Sequence, residues 1–248
     1  MHPWDDYRPR SDLLENRIVL ITGTTRGIGR TLALAAAQHG ATVLLHGRNR
    51  RALEALHDEV SKVGPEPAIA QLDFERAQGP EYQHLTSEIE SRYGRLDGLV
   101  HNAGILGDRS PIEHYEIGTW QRVMHVNVNA AFILTRCMLP LLKESADASL
   151  IFTTSGVGRQ GRAYWGAYCV SKFATEGLAQ ILADELEHSS VRVNCINPGA
   201  TRTRMRSQAY PAEDPETVTA PEAVVGPYLY LLGPDGKDVS GERVESQG

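Results

Sequence analysis

The fold of this chain is decided by the stretch Arg17-Ile-Val-Leu-Ile-Thr-Gly23-Thr-Thr-Arg-Gly27-Ile-Gly29. Its first part, up to Thr22, is a short apolar run rich in β-branched residues, which is typical of a strand buried on both faces of a parallel sheet. Glycines follow where the strand turns into a helix, and their missing side chains allow backbone amides to approach a pyrophosphate. Because the spacing differs from the usual Gly-x-Gly-x-x-Gly, a tight strand-to-helix connection without a ligand stays an open alternative.

The order of strand and helix repeats along the chain. Apolar runs predict strands at 42–46, 68–72, 96–101, 149–154 and 191–196, and helical patterns fill 30–39, 50–62, 81–93, 119–145 and 165–188. Pro140 interrupts the fourth helix late, and a short helix at 221–232 precedes a weak strand near 243–245. This alternation predicts an α/β fold, a single-domain Rossmann-type doubly wound parallel sheet of about seven strands flanked by helices on both faces. We expect one domain over 1–248, with an N-terminal extension at 1–16 and a mobile flap at 201–220.

Composition narrows the classes of partner. With 31 acidic and 25 basic residues, the chain has a formal net charge of −6, which argues against a nucleic acid or an anionic membrane as partner. Its three cysteines lie far apart in sequence, and the histidines do not have metal-ligand spacing. We therefore expect no metal site and no disulfide framework. The N-terminus is polar and lacks the apolar core of a signal peptide, so we expect a cytoplasmic protein.

The end of the second strand indicates which dinucleotide is bound. Sites that bind a free ribose 2′-hydroxyl place an acidic residue there, but this chain reads Leu44-Leu45-His46-Gly47-Arg48. Arg48, together with Arg26 in the glycine loop, would meet a 2′-phosphate instead, because a guanidinium matches phosphate geometry. This favours NADP(H) over NAD(H). The alternative is that each arginine is only solvated surface.

Further contacts are expected where other strands end, because open α/β sheets hold ligands at the carboxyl ends of their strands. Asp73 either accepts a hydrogen bond from adenine or caps the next turn. Asn197-Pro198-Gly199 closes the sixth strand and brings the two following threonines toward the same crevice. The full set of predicted cofactor contacts is Gly23, Thr25, Arg26, Gly27, Ile28, Gly29, Arg48, Asp73, Asn102, Ala103, Gly104, Tyr168, Lys172, Pro198, Gly199, Thr201 and Thr203.

Tyr168 and Lys172 are the candidate chemical groups. On a helix, residues four apart lie on one face, so the phenol and the ammonium project side by side. A nearby positive charge favours the phenolate, and we expect it to lower the pKa of Tyr168 toward neutrality. Ser155 supplies a further hydroxyl upstream. A solvated lysine beside a packing tyrosine is the alternative when the pair is considered alone.

The chain resembles the classical short-chain dehydrogenase/reductase family. The matching motifs are Thr22-Gly23-x-x-x-Gly27-Ile28-Gly29, Asn102-Ala103-Gly104, Asn127, Ser155, Tyr168-x-x-x-Lys172 and Pro198-Gly199, in the family's order and approximate spacing. The segments around 101–108, 126–130 and 155–163 also look like its bacterial YciK-like branch, oxidoreductases without an assigned substrate. Together these motifs span almost the whole chain.

The resemblance implies roles for four residues. Tyr168 would be the general acid in carbonyl reduction and the base in alcohol oxidation. Lys172 would lower the pKa of Tyr168 and hydrogen-bond the nicotinamide ribose, and Ser155 would polarise the substrate oxygen. Asn127 would hold a water that passes protons to Lys172, although it could also only satisfy a helix distortion. The resemblance further implies a homodimer or homotetramer formed through the helices at 119–145 and 165–188.

We expect the protein to be an NADP(H)-dependent oxidoreductase that acts on a small-molecule carbonyl or secondary alcohol. The alternative is a dinucleotide-binding regulatory or scaffold protein without turnover. The pocket walls are predicted to be Ile105, Leu106, Arg109, Arg159, Gln160, Tyr164, Trp165, Met205 and Tyr210, with the flap at 201–220 above the substrate. Arginines at 109, 159, 162, 202, 204 and 206 would either welcome an anionic substrate or be solvated or paired with acids such as Asp108 and Glu213.

Overall fold

A computed structural model of the chain describes residues 2–247. Seven parallel strands form one sheet in the order β3-β2-β1-β4-β5-β6-β7, which confirms the predicted doubly wound fold. All four residues of the first strand are buried, as its continuous apolar run predicts. The strands are β1 (Ile18–Ile21), β2 (Thr42–Gly47), β3 (Ala68–Gln71), β4 (Gly98–His101), β5 (Ala148–Thr153), β6 (Val191–Asn197) and β7 (Arg243–Glu245).

Helices cover both faces of the sheet, and each face has its own buried apolar cluster. One cluster includes Leu134 and Met138, and the other includes Leu32 and Tyr228. The helices are α1 (Gly27–Gln38), α2 (Arg50–Val60), α3 (Gly79–Tyr93), α4 (Ile117–Met124), α5 (Ala130–Lys143), α6 (Gly166–Glu185), α7 (Arg204–Ala209) and α8 (Gly226–Leu232).

The predicted helix over 119–145 is divided in the structure. A π-helical turn at His125–Asn129 joins α4 to α5. Pro140 does not end α5, which continues to Lys143. A proline removes one helical hydrogen bond, and the burial of Leu141 and Leu142 in one apolar cluster keeps the last turn in place. The sequence indicates this distortion only at Asn127, as the alternative to a role in holding a water.

The segment Ile117–Lys143 is, by length and composition alone, apolar enough to cross a membrane. Half of its most apolar window is buried inside the protein. Core helices of globular proteins share this character, so the segment is weak evidence for a membrane span.

The segment predicted to be a flap contains regular structure. Helix α7 occupies its first half, and Thr203 caps that helix by accepting a hydrogen bond from the Arg206 amide at 3.2 Å. A bridge between Thr201 and Thr219 closes the segment at its base. The prolines at 211 and 215, which favour an irregular loop, lie after α7, whereas the arginines at 202, 204 and 206 lie in that helix or just before it.

Candidate active site

The crevice lies at the carboxyl ends of β1 and β4, where the strand order reverses. Gly23 has φ +73°, and a Cβ there would stand 3.0 Å from the Ala103 Cα. A Cβ on Gly29 would collide with the Gly23 carbonyl oxygen. Asn102 ties the two strand ends together, because its backbone amide donates to the Thr22 hydroxyl and its side-chain amide donates to the Thr22 carbonyl, each at 2.9 Å. Glycine is therefore required where the first loop meets α1 and β4.

The start of α1 suits an anion. Its N-cap residue, Arg26, makes no side-chain capping hydrogen bond within the described residues 2–247, and the first turn carries no acidic residue. Free amide groups at a helix start bind phosphate. Gly27 lies beside them with φ +56°, and a Cβ there would stand 3.2 Å from the Thr203 methyl group. These features fit a dinucleotide pyrophosphate between the glycine loop and α7.

A cavity of about 300 Å³ runs along this crevice. It begins at Arg48 and Asp73, passes the glycine loop, and ends beside Trp165 and Met205. The predicted cofactor contacts that line it are Gly23, Thr25, Arg26, Gly27, Ile28, Arg48, Asp73, Asn102, Ala103, Gly104, Tyr168, Lys172, Pro198, Gly199, Thr201 and Thr203. The structure thus brings together the predicted set apart from Gly29, whose role is in packing the loop.

The adenosine end carries the predicted arginines. Arg26 and Arg48 are both exposed, and Arg48 donates a hydrogen bond to Glu75 at 2.8 Å. Asp73 accepts from the Glu75 amide at 3.1 Å, so it stabilises the turn after β3 as well as lining the cavity. A 2′-phosphate would have to compete with Glu75 for the Arg48 guanidinium.

Tyr168, Lys172 and Ser155 lie together on the floor of the cavity. Tyr168 and Lys172 are buried on one face of α6, and the Lys172 Nζ lies 5.5 Å from the centre of the Tyr168 ring. The same Nζ donates to the Thr153 carbonyl at 2.7 Å, which ties α6 to the end of β5. Ser155 follows that strand, two residues later. A phenol, an ammonium and a hydroxyl therefore share one small volume.

The expectation of a lowered phenol pKa is wrong for the protein by itself. Burial raises the pKa of Tyr168 to about 12, and the Ser155 hydroxyl alongside acts in the opposite direction. Burial also lowers the pKa of Lys172 to about 8, and the Glu176 carboxylate acts in the opposite direction. The low-dielectric surroundings disfavour the charged form of both groups. At neutral pH the phenol is protonated and can donate.

Asn127 lies in the π-helical turn and is buried. Its side chain accepts from the Ile105 amide at 2.9 Å and donates to the Ile105 carbonyl and the Ser171 hydroxyl, each at 3.0 Å. These contacts hold the loop after β4 against α6. Its proposed role in holding a water remains a prediction.

The pocket walls are confirmed in part. Ile105, Leu106, Trp165 and Met205 line the cavity, whereas Arg109, Arg159, Gln160, Tyr164 and Tyr210 do not. Tyr164 is 55% exposed, and its φ of +71° places it in a turn. Its side chain is therefore on the surface and is not part of the pocket wall. Arg159 pairs instead with Glu176 at 3.0 Å.

Sequence reasoning missed several supporting residues. Glu176, one turn after Lys172, accepts from the Thr154 hydroxyl at 2.7 Å and from Arg243 at 2.9 Å. Arg243 also donates to the Ser155 carbonyl at 3.2 Å. The spacing of four residues between Lys172 and Glu176 was a usable signal, but nothing in the pattern linked either to Arg243.

Two more missed residues support the cofactor crevice. Gln247 donates to the Pro198 carbonyl at 2.7 Å and the Ala200 carbonyl at 2.9 Å. His46, buried at the end of β2, accepts from the Gly23 amide at 3.3 Å and lines the cavity. Its Nε2 has no hydrogen-bond partner among the described residues.

Comparisons with known proteins agree with this geometry. The chain matches the short chain dehydrogenase family model over residues 17–214. It is 48% identical to the uncharacterized oxidoreductase YciK of Escherichia coli K12, over 97% of this chain and 96% of that one. A Pseudomonas syringae structure assigned to the short chain dehydrogenases is 53% identical, with a TM-score of 0.96 over 98% and 99% of the two chains. An Escherichia coli CFT073 structure complexed with NADPH is 48% identical, with a TM-score of 0.94 over 97% and 100%.

Proposed function

The chain belongs to the short-chain dehydrogenase family, and we propose that it is an NADP(H)-dependent oxidoreductase that transfers hydride between the nicotinamide and a carbonyl or secondary alcohol. The observation that carries the proposal is the joint position of Ser155, Tyr168 and Lys172 in a cavity that also runs along the glycine loop. A protonated phenol, a hydroxyl and an ammonium are the groups that carbonyl reduction needs.

The mechanism assigns one task to each side chain. Bound NADPH would supply the hydride that adds to the carbonyl carbon. Ser155 donates a hydrogen bond to the substrate oxygen, and Tyr168 gives its phenolic proton to that oxygen as negative charge develops. Lys172 holds a positive charge beside the phenolate that remains and helps to restore its proton from solvent. In alcohol oxidation the same groups act in reverse.

NADP(H) is the proposed cofactor. The Escherichia coli CFT073 relative binds NADPH, and the position after β2 that an acidic residue would occupy in an NAD(H) site carries Arg48 here. Residues that would hold the cofactor are the glycine loop for the pyrophosphate, Arg26 and Arg48 for the 2′-phosphate, and Lys172 for the nicotinamide ribose.

The direct test is NADPH consumption over a panel of aldehydes and ketones, with wild type and Tyr168→Phe. We expect turnover by the wild type and a loss of at least about a hundredfold in kcat for the variant, with NADPH binding retained. If both proteins bind NADPH and neither turns over on a broad panel, the regulatory alternative is favoured instead.

Cofactor choice has its own test. We expect Arg48→Ala to weaken NADPH binding by about ten- to a hundredfold and to leave NADH binding nearly unchanged, because only NADPH carries the 2′-phosphate. Titration of nicotinamide fluorescence measures both affinities. Equal affinities for the two cofactors in the wild type would contradict the assignment.

We also propose a cytoplasmic homodimer or homotetramer that forms through α5 and α6. Support comes from large apolar side chains left exposed on these helices, namely Phe132, Val170, Phe173 and Ile181. The mass in solution tests the assembly: Ile181→Glu is expected to lower it, and a monomeric wild type would contradict the proposal.

A further inference from the structure

The wall of the cavity beside the phenol is apolar. Leu106, Trp165 and Ala209 line it and belong to one buried cluster with Tyr168, and Met205 packs against that cluster from α7. The Trp165 ring lies 5.8 Å from the Tyr168 ring, centre to centre. A substrate whose oxygen meets Tyr168 would therefore place its substituents against hydrocarbon and indole surface.

Arg206 is the basic side chain at this wall, and its charge is already matched. It lines the cavity and donates from Nε and Nη2 to the two carboxylate oxygens of Glu213, at 2.6 and 2.5 Å. Its guanidinium also lies 3.9 Å from the centre of the Tyr210 ring. The two side chains are only 26% and 28% exposed. This two-point contact holds the guanidinium in one orientation, and the carboxylate balances its positive charge.

The neighbouring arginines are also engaged. Arg109 donates to the Ala209 carbonyl and lies 4.7 Å from the Trp165 ring centre, behind the wall. Arg202 pairs with Glu216 at 2.8 Å and, like Arg109, does not line the cavity.

Arg204 is different, because it lines the cavity and has no carboxylate partner among residues 2–247. It directly follows Thr203, which lies against Gly27 of the glycine loop, so its backbone lies near the phosphate end of the cavity. There the pyrophosphate would meet its charge. The surface offered to the substrate next to Tyr168 therefore has no unmatched positive charge from these four arginines.

We propose that the pocket selects uncharged carbonyl compounds with an apolar or aromatic substituent, and that Glu213 sets this selectivity by neutralising Arg206. The inference rests on the proposed hydride transfer at Tyr168. A carboxylate brought against Leu106, Trp165 and Met205 would lose its hydration without gaining a counter-charge from the arginines at that wall, which is costly. Removing the negative charge of Glu213 would return a free guanidinium to the wall.

The experiment compares two aryl ketones that differ in charge and by one methyl group, methyl 4-acetylbenzoate and 4-acetylbenzoate, with NADPH. For the wild type we expect kcat/KM to be at least about tenfold higher for the ester. For Glu213→Gln we expect the kcat/KM for the acid, divided by that for the ester, to rise by roughly five- to tenfold, the range for one partly exposed charge pair. Glu216→Gln is the matched control on the same flap, and it is expected to leave the ratio unchanged because Arg202 is outside the cavity.

An acid preferred by the wild type, or a ratio unchanged in Glu213→Gln, would overturn the inference. Selectivity is tested without turnover by measuring how tightly each compound binds to the NADP⁺-loaded protein. Quenching of tryptophan fluorescence reports the binding. If neither compound is reduced but the ester binds and the acid does not, the proposed hydride transfer fails and the selectivity stands. Equal binding, or binding of neither compound, overturns the selectivity. Far-UV circular dichroism confirms that each variant is folded.

Discussion

At the scale of single residues, the motif formed by Tyr168 and Lys172 predicts where the two side chains lie but not their protonation behaviour. Their spacing correctly predicts a shared helix face and a shared cavity. It does not predict the direction of the phenol pKa, because that depends on burial by residues from other parts of the chain. The same limit applies to cofactor selection. The sequence identifies Arg48 as a candidate for the 2′-phosphate, but it does not predict the contact of Arg48 with Glu75.

The pKa values predict a pH dependence. Carbonyl reduction needs a protonated Tyr168, whose pKa is about 12, and a charged Lys172, whose pKa is about 8. Below pH 8 both conditions hold, and as pH rises through 8 the lysine loses its charge. We therefore expect kcat/KM for reduction to be level near pH 6 to 7 and to fall through about pH 8. Steady-state rates with NADPH across this range check it, and a rate that rises with pH would contradict it.

At the scale of elements, the short terminal strand matters more than its length suggests. The sequence predicts β7 as weak, and it has three residues, yet its Arg243 connects the Glu176 carboxylate to the Ser155 carbonyl. Glu176 is buried and also fixes the Thr154 hydroxyl. Strand β7 and helix α6 thus hold the segment that carries Ser155. Contacts between residues so distant in sequence have no local signature, which is why they were not foreseen.

Substitution of Glu176 tests this connection. Glu176→Gln keeps an acceptor for Thr154 but loses one of the two carboxylates that pair with Arg243, the other being Glu245. We expect kcat to fall about tenfold through misplacement of Ser155, while the Kd for NADPH changes by less than about twofold. Because the Glu176 charge raises the pKa of Lys172, its loss also shifts the alkaline fall in rate to lower pH.

The matched control is Glu185→Gln, which lies exposed on the same helix. It is expected to leave kcat and the pH profile unchanged. A Glu176→Gln protein with a lower Tm but unchanged kcat and pH profile would show that the contact serves stability alone.

At the scale of the whole molecule, the strand and helix order could be predicted because each strand is a short apolar run and most helices begin or end at glycine or a capping residue. The layers then follow from the topology. Interior polar groups could not be predicted in this way. His101 appeared only as part of a strand, but it is buried, stacks on Phe152 at 4.7 Å and shares a 2.8 Å hydrogen bond with Thr135.

This buried histidine predicts a dependence of stability on pH. Burial lowers the pKa of His101 to about 3, so the unfolded chain binds a proton there below about pH 6.5 while the folded protein does not. The free energy of unfolding therefore falls as pH falls from about 6.5 toward 3, by about 1.4 kcal/mol per pH unit for this group. We expect His101→Gln to make the slope between pH 6 and 4.5 shallower by about that amount. Urea unfolding measures it, with the exposed His188→Gln as control; equal slopes in all three proteins would contradict the prediction.

The contact of Gln247 with the carbonyls of Pro198 and Ala200 has a practical consequence. The last described residue of the chain is part of the support for the cofactor crevice, and it packs against Gly199 as well. Affinity tags and fusion partners are therefore better attached at the other end, where His2 is exposed. A reporter joined directly after residue 248 would stand one residue beyond this contact, close to the loop that carries Thr201 and Thr203.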